Sequence, residues 1–386
     1  MIRVFLIAGE ASGDKLGAAL MAGLKSLTDV EFVGVGGPLM EAEGLRSQFP
    51  MDELSVMGIA EILPKYRHLM RRINETAEAV IKAQPDVLIT IDSPDFCLRV
   101  AKRVKAKSDI KTVHYVAPTV WAWRSGRAAK MAKVIDHVLA LFPFEPPYME
   151  AAGMQCDFVG HPVVAETRAD EAQSLAFRQK HGLENRQVLL VLPGSRRGEV
   201  SRLSPIFGDV LRDVIAARPE LKVVIPTTAN VTSLVQDLVQ DWPVKPLILS
   251  PVNHSKDDYL AEKAACFAAA DAALAASGTV SLELAATDTP MVIAYDMSWL
   301  SRQIISRMLK VDTVTLVNLV SDTRCVPEFI GGDCKPEKIA PAVLDVLDHP
   351  ELQRDAMRLT MERLGKGGEA PGLRAARAVL AGLKTA

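Results

Sequence analysis

Residues 2–17 read IRVFLIAGEASGDKLG. An apolar run from Ile2 to Ala8 passes through Gly9 and Gly13 into a helical pattern. That strand–loop–helix order is the unit from which parallel α/β sheets are built. The loop lacks the spacing of a phosphate cradle. A Walker loop needs four residues between its glycines and then Gly-Lys-Ser/Thr, whereas three residues separate Gly9 from Gly13 and Asp14-Lys15-Leu16 follows. The G-x-G-x-x-G pattern fails as well: Glu10 follows Gly9 and no second glycine is available, since Ala11 comes next. An acidic side chain there repels a bound phosphate. The anion site is therefore expected on another loop.

The same unit recurs along the chain. Apolar runs EFVGVG (31–36), DVLITID (86–92), KTVHYVAP (111–118) and HVLALF (137–142) alternate with helix-length amphipathic segments. Being apolar throughout, they suit parallel strands covered on both faces. A polar stretch without strand character, 160–183, interrupts the series. The alternation restarts with VLLVLPG (188–194), LKVVIPT (221–227), PLILS (246–250), AALAAS (272–277) and MVIAYD (291–296). The expected fold is α/β: two Rossmann-like domains with parallel sheets facing a central cleft, and a helical C-terminus. The expected boundaries are 1–162 for the first domain, 163–187 for a connector, 188–350 for the second domain and 351–386 for C-terminal helices.

The chain has 386 residues, 49% of them hydrophobic, and a formal net charge of −2. That length supports two domains, and that charge gives no reason to expect a nucleic-acid partner. Five cysteines, Cys97, Cys156, Cys266, Cys325 and Cys334, are odd in number and form no C-x-x-C pair. They point to a reducing compartment and away from a disulfide framework or structural zinc. No basic n-region precedes the first strand, so no signal peptide is expected. No apolar run approaches the roughly 20 residues of a membrane span. The expectation is a soluble or peripheral cytoplasmic protein.

In open parallel sheets, ligands bind beyond the carboxyl ends of the strands. Four loops there can carry chemistry. In ASGTVSLELAA (276–286), Gly278 lets the backbone approach a ligand, and Ser277 and Thr279 open a helix whose free N–H groups favour an anion. Glu283 follows one turn later, where a carboxylate could accept from a ribose diol; an N-cap and a solvated glutamate are the plain alternative. In LLVLPGSRRGEV (190–200), Ser195 and Arg196 leave a buried strand at once, which suits bidentate contact with a diphosphate. A surface arginine pair is the alternative. In TIDSPDF (90–96), Asp92 and Asp95 could cap the next helix or serve as a general base toward a hydroxyl. No D-x-D pair is present, so a carboxylate-bound divalent metal is not indicated. In YVAPTVWAWRSGR (115–127), Trp121, Trp123 and Arg124 are either core or a wall for sugar or acyl chains.

The segment 56–73 mixes apolar Met57, Ile62, Leu63 and Leu69 with Lys65, Arg67, Arg71 and Arg72. That mixture suits an anionic membrane surface, or else a helix packed on its sheet. The segment 297–310 has similar character.

Taken in order, GEASGD (9–14), ELSVMG (53–58), IDSPDF (91–96), APTVWAWR (117–124), LFPFE (141–145), FVGHP (158–162), LPGSRRGEV (192–200), ASGTVSLE (276–283) and VPEFI (326–330) resemble the lipid-A-disaccharide synthase family over nearly the whole chain. The resemblance implies an inverting, metal-independent glycosyltransferase of the GT-B type with no cofactor. It would join UDP-2,3-diacylglucosamine to 2,3-diacylglucosamine 1-phosphate through a β-1,6 link and release UDP, in the lipid A and lipopolysaccharide biosynthesis of Gram-negative bacteria. The enzyme would sit on the anionic cytoplasmic face of the inner membrane; a homodimer is compatible with this.

By the same resemblance, Asp95 and Arg196 are catalytic. Ser195, Arg196, Ser277, Gly278, Thr279, Glu283 and Asn318 contact the donor UDP. Glu10, Ser12, Asp14, Trp123 and His161 line the acceptor side, with a hinge or plain structural role open for His161. The stretch before Asn318 departs from the family's aromatic-rich pattern. The competing readings are another UDP-sugar transferase or epimerase of the same fold, a non-catalytic nucleotide-sugar binding protein, and a NAD dehydrogenase, whose glycine pattern is missing.

Overall fold

The protein is described by a computed structural model covering residues 1–54, 59–121, 126–252, 254–297 and 311–384, with the side chains of 59–66 outside that description. The chain divides into two compact units. Unit 1 comprises Met1–Ala165 and Leu364–Ala386, and unit 2 comprises Glu166–Arg363.

Unit 1 carries a seven-stranded sheet in the order β3-β2-β1-β4-β5-β6-β7. Its strands are β1 (Ile2–Ala8), β2 (Val30–Val35), β3 (Arg46–Ser47), β4 (Val87–Ile91), β5 (Lys111–Tyr115), β6 (His137–Ala140) and β7 (Gln155–Phe158). Unit 2 carries a six-stranded sheet in the order β10-β9-β8-β11-β12-β13. Those strands are β8 (Val188–Leu192), β9 (Lys222–Pro226), β10 (Leu247–Leu249), β11 (Ala272–Ala275), β12 (Met291–Tyr295) and β13 (Glu328–Ile330). Adjacent strands pair in parallel throughout.

The fold is thus α/β with two Rossmann-like sheets, as the alternation predicts. The central strands β4 and β8 are buried at every position because helices cover both faces. Phe5, Ile7, Leu88 and Val100 anchor one core of unit 1, and Leu189, Val191, Phe207 and Val292 anchor that of unit 2. All ten expected strands form. The three that sequence did not reveal, β3, β7 and β13, lie at sheet edges. There the side chains are only partly buried, so no continuous apolar run marks them.

The domain boundaries need correction. The expected connector 163–187 contains a helix, Glu171–Lys180, capped by Asp170 and tied into unit 2. Its Arg178 donates to the Ala269 carbonyl at 3.0 Å and pairs with Asp271 at 2.8 Å. The C-terminal helices do not stay together. Helix Glu351–Arg363 belongs to unit 2, whereas helix Pro371–Lys384 returns to unit 1. It crosses helix Ala11–Leu27 at glycines: a Cβ on Gly372 would stand 2.5 Å from the Ala19 carbonyl oxygen. Only small residues permit that approach.

Both sheets reverse their strand order once, at β1/β4 in unit 1 and at β8/β11 in unit 2. Such switch points open a crevice at the carboxyl ends of the strands.

Candidate active site

In unit 1 the switch point brings the loop after β1 beside the loop after β4. Ala8 is paired with Ile91, and a Cβ on Gly9 would lie 2.6 Å from the Ser93 hydroxyl oxygen. A larger residue at position 9 would displace that hydroxyl. Glu10 is half-buried and Ser12 is exposed. Asp95 stands in the first turn of helix Pro94–Lys105 and is exposed. Asp92 is half-buried, and its charge, together with burial, pushes up the Cys97 thiol. Of the two carboxylates, Asp95 is the one presented outward.

Asp14 has a different role from the acceptor contact expected of it. It is 3% exposed, and its carboxylate accepts the backbone N–H groups of Gly37, Leu39 and Met40, each at 3.0 Å. With its oxygens spent there, it braces the start of helix Pro38–Ala42 instead of touching a sugar. That brace forms one wall of a cavity of about 540 Å³ beyond β2, lined by Gly36, Gly37, Glu41, Gln48, Phe49 and Asp52 among others.

Beyond β5, β6 and β7 an aromatic series runs along the same edge of the sheet. Trp121 meets Phe144 edge-on at 5.2 Å, Phe144 stacks on Phe142 at 5.4 Å, and Phe142 meets the His161 ring at 5.4 Å. His161 is buried, and its Nδ1 accepts the Val163 N–H at 3.2 Å, which fixes the ring within its own turn. Trp123 lies outside the described residues.

Beneath this series sits Glu145, which the sequence gave no reason to single out. It is 2% exposed, and one of its oxygens accepts the N–H groups of Leu141 and Phe142 at 3.1 and 3.0 Å. Burial pushes its pKa up to about 7, with partial opposition from Phe142, the Trp121 indole and Leu141. From about pH 4.5 to 7 the folded protein keeps a proton that the unfolded chain releases. Stability therefore falls as pH rises through that window, by about 3 kcal/mol. Glu145→Gln keeps the accepting oxygen and removes the titration. Its unfolding temperature should depend less on pH between 5 and 7 than that of wild type; identical slopes would contradict this.

In unit 2 the loops after β8 and β11 are neighbours, since Leu192 pairs with Ala275. Gly194 takes a left-handed φ of 118°, and a Cβ there would meet Glu199 Oε2 at 2.7 Å. Arg196 occupies the position before helix Arg197–Ala217, and its exposed guanidinium pairs with Glu199 at 3.1 Å. Ser195 is held through its carbonyl, which accepts from Asn230 at 3.0 Å. Across the switch point, Ser277 is half-buried and Gly278 and Thr279 are exposed. Gly278 has φ 141°, with open space where a Cβ would point. Helix Val280–Ala286 starts here and presents its first backbone N–H groups. Glu283 is paired with Lys263 at 2.7 Å, which orients its carboxylate.

Asn318 does not present itself to a ligand as expected. It is buried; its amide donates to the Val326 carbonyl at 2.9 Å and accepts the Val326 N–H at 3.0 Å. It ties helix Leu316–Ser321 to the segment entering β13.

The membrane-facing assignments also change in part. Met57 lies outside the described residues, as do the side chains of Ile62, Leu63 and Lys65. Leu69 packs against the core of unit 1. Arg72 chelates Glu53 at 2.8 and 2.9 Å, pairs with Glu75, and covers the Phe49 ring at 4.4 Å. It is a structural cation, and its pairing holds the Glu53 carboxyl below the usual range. Arg67 and Arg71 remain exposed, with Arg71 hydrogen-bonded to His68 at 2.9 Å. Among the described residues, no helix is long and apolar enough to cross a membrane, and no group of three or more His, Cys, Asp or Glu could hold a metal ion.

A profile of the family described as lipid-A-disaccharide synthetase matches residues 4–375. The chain belongs to this family. A curated member named lipid-A-disaccharide synthase, from Ruegeria pomeroyi, is 62% identical over 381 residues, covering 98% of this chain and 95% of its own. A namesake from Rhodospirillum centenum is 47% identical over 384 residues, covering 98% and 94%. A solved UDP-GlcNAc 2-epimerase from Neisseria meningitidis, bound to UDP-GlcNAc, superposes with a TM-score of 0.65 at 12% identity over 100% of both chains. That likeness is one of fold alone. Within this lipid-A-disaccharide synthetase family member, sequence reasoning located both switch-point rims. It missed residues that hold them, Ser93, Glu199 and Lys263, and it missed Glu145 beneath the aromatic series. Among these, Ser93, Glu145 and Glu199 lie inside motifs already quoted, and Lys263 does not.

Proposed function

We propose that this chain transfers the sugar of UDP-2,3-diacylglucosamine to the 6-hydroxyl of 2,3-diacylglucosamine 1-phosphate, forming a β-1,6 link and releasing UDP. Family membership over residues 4–375 carries this reading. Unit 1 takes the acceptor and unit 2 the donor. Asp95 removes the proton from the acceptor hydroxyl, whose oxygen attacks the anomeric carbon opposite the departing UDP, so the configuration inverts. Arg196 exchanges Glu199 for the diphosphate, and the N–H groups around Gly278 and Thr279 meet the same charge. Glu283, held by Lys263, accepts from the ribose. These groups stabilise the leaving diphosphate without a metal ion. Mass spectrometry after mixing the protein with both lipids in excess chelator should show the disaccharide and UDP. UDP without disaccharide, or no product until a divalent metal is restored, would refute the corresponding part.

We further place the protein on the cytoplasmic face of the inner membrane. Both substrates carry acyl chains, and each buried CH₂ contributes roughly 0.8 kcal/mol, so both lipids stay in the bilayer. The exposed Arg67 and Arg71 support contact with anionic headgroups. Replacing both with glutamine should reduce co-sedimentation with anionic vesicles; unchanged sedimentation would remove this surface.

A further inference from the structure

Seven non-glycine residues take positive φ among the described residues: Gln84, Asp92, Ser93, Val116, Asn185, Asp288 and Asp322. Gln84, Asp288 and Asp322 follow helix ends, and Asn185 sits in a polar turn. Such sites accept left-handed residues readily. The other three differ. Asp92 (φ 51°) and Ser93 (φ 43°) leave β4, and Val116 (φ 86°) leaves β5. The strands are neighbours, and Asp92 N–H donates to the Tyr115 carbonyl at 3.0 Å, immediately before Val116. A β-branched residue at positive φ is a genuine outlier. Two consecutive non-glycine residues there add further cost. Ser93 also has its hydroxyl buried without a hydrogen bond among the described residues, pressed toward Gly9. Strain of this kind persists only where the surroundings impose it, and it clusters at functional sites.

We propose that this strained rim, Asp92–Ser93 with Val116, is a positioning device that fixes the start of helix Pro94–Lys105 so that Asp95 points at the acceptor hydroxyl. The inference rests on the reading of Asp95 as the base. A strand that turns through left-handed residues directly into a helix throws the first helical turn outward; the nucleophile elbow of hydrolases is likewise a strained strand-to-helix turn, there with the reacting residue on the turn itself. Asp95 is in that first turn and exposed. A side chain at 93 narrows the backbone to a small basin. Glycine would occupy that basin without strain and would also leave it freely. Gly9 is the matching half, since a Cβ there would crowd the Ser93 side chain, at 2.6 Å from its hydroxyl oxygen and 3.1 Å from its Cβ.

The test compares Ser93→Gly, Ser93→Ala and Gln84→Gly, with turnover and unfolding temperature measured on each. Gln84 has the same backbone sign in the same unit but follows helix Ile59–Ala83, at the end away from the rim. Ser93→Gly should unfold no lower than wild type, yet lose about tenfold or more in kcat, with acceptor KM within about threefold. Ser93→Ala keeps a Cβ and should recover most of that loss. Gln84→Gly should not lower kcat. Wild-type kcat in Ser93→Gly would overturn the inference. So would equal losses of kcat and stability in both Ser93 variants, which would mark ordinary destabilisation. Asp95→Ala separates the two layers: if it is inactive while Ser93→Gly is normal, only the positioning inference fails, whereas full turnover in Asp95→Ala sinks both.

Discussion

Asp95→Ala is expected to lose about 10²–10⁴-fold in kcat while folding normally and binding UDP as wild type does. The side chain is exposed in the first turn of its helix. Removing such a group usually changes stability by no more than about 0.5 kcal/mol. The loss is therefore expected in the chemical step alone. A sugar hydroxyl is a poor nucleophile until its proton leaves, and no other outward carboxylate stands in that first turn. Glu10, on the adjacent loop, is half-buried, and Asp92 stands nearer the interior, where its charge is felt by Cys97. Comparison of kcat, donor KM and unfolding temperature checks the expectation. Turnover near that of wild type would remove Asp95 as the base.

Arg196→Ala is expected to lose about 10²–10³-fold in kcat/KM for the donor. The guanidinium is two-thirds exposed and, among the described residues, is paired with Glu199 alone. An exposed pair of that kind contributes about 0–1 kcal/mol to stability, so any large effect must come from the substrate. Lysine at 196 should restore only part of the loss, because an ammonium cannot make the bidentate contact. Complete rescue by lysine would leave a point charge as the sole requirement.

These expectations rest on features of unequal visibility in the sequence. The strand ends at 8, 91 and 192 were legible because continuous apolar runs stop there at Gly, Asp or Pro, and the run through 275 stops at Ser277. The switch points follow from strand order, which single strands do not encode. The recruitment of helix Pro371–Lys384 into unit 1 could not be read, since its apolar spacing is the same whichever sheet it covers. The close glycine crossing at Gly23 and Gly372 specifies the partner, together with Arg374 donating to the Phe158 carbonyl and Lys111 donating to the Gly382 carbonyl. Asp14 and Asn318 were misassigned for a related reason. Each is a polar residue near a rim, and the backbone groups that consume it, at Gly37 and Val326, lie 23 and 8 residues further along the chain, beyond any local pattern. Arg72 looked like a free cation for want of knowing that Glu53 folds against it. Glu145 carried no sign of burial, because a glutamate after Phe144 reads equally well as a solvated helix start.

In the proposed reaction unit 2 holds the nucleotide and unit 1 supplies the base. Calorimetric titration of UDP into wild type, Asp95→Ala and Arg196→Ala tests that division most directly. Asp95→Ala should bind UDP within about twofold of wild type, and Arg196→Ala should bind about 10–100-fold more weakly, the loss of a hydrogen-bonded charge. Equal weakening in both variants, or undiminished UDP affinity in Arg196→Ala, would contradict it.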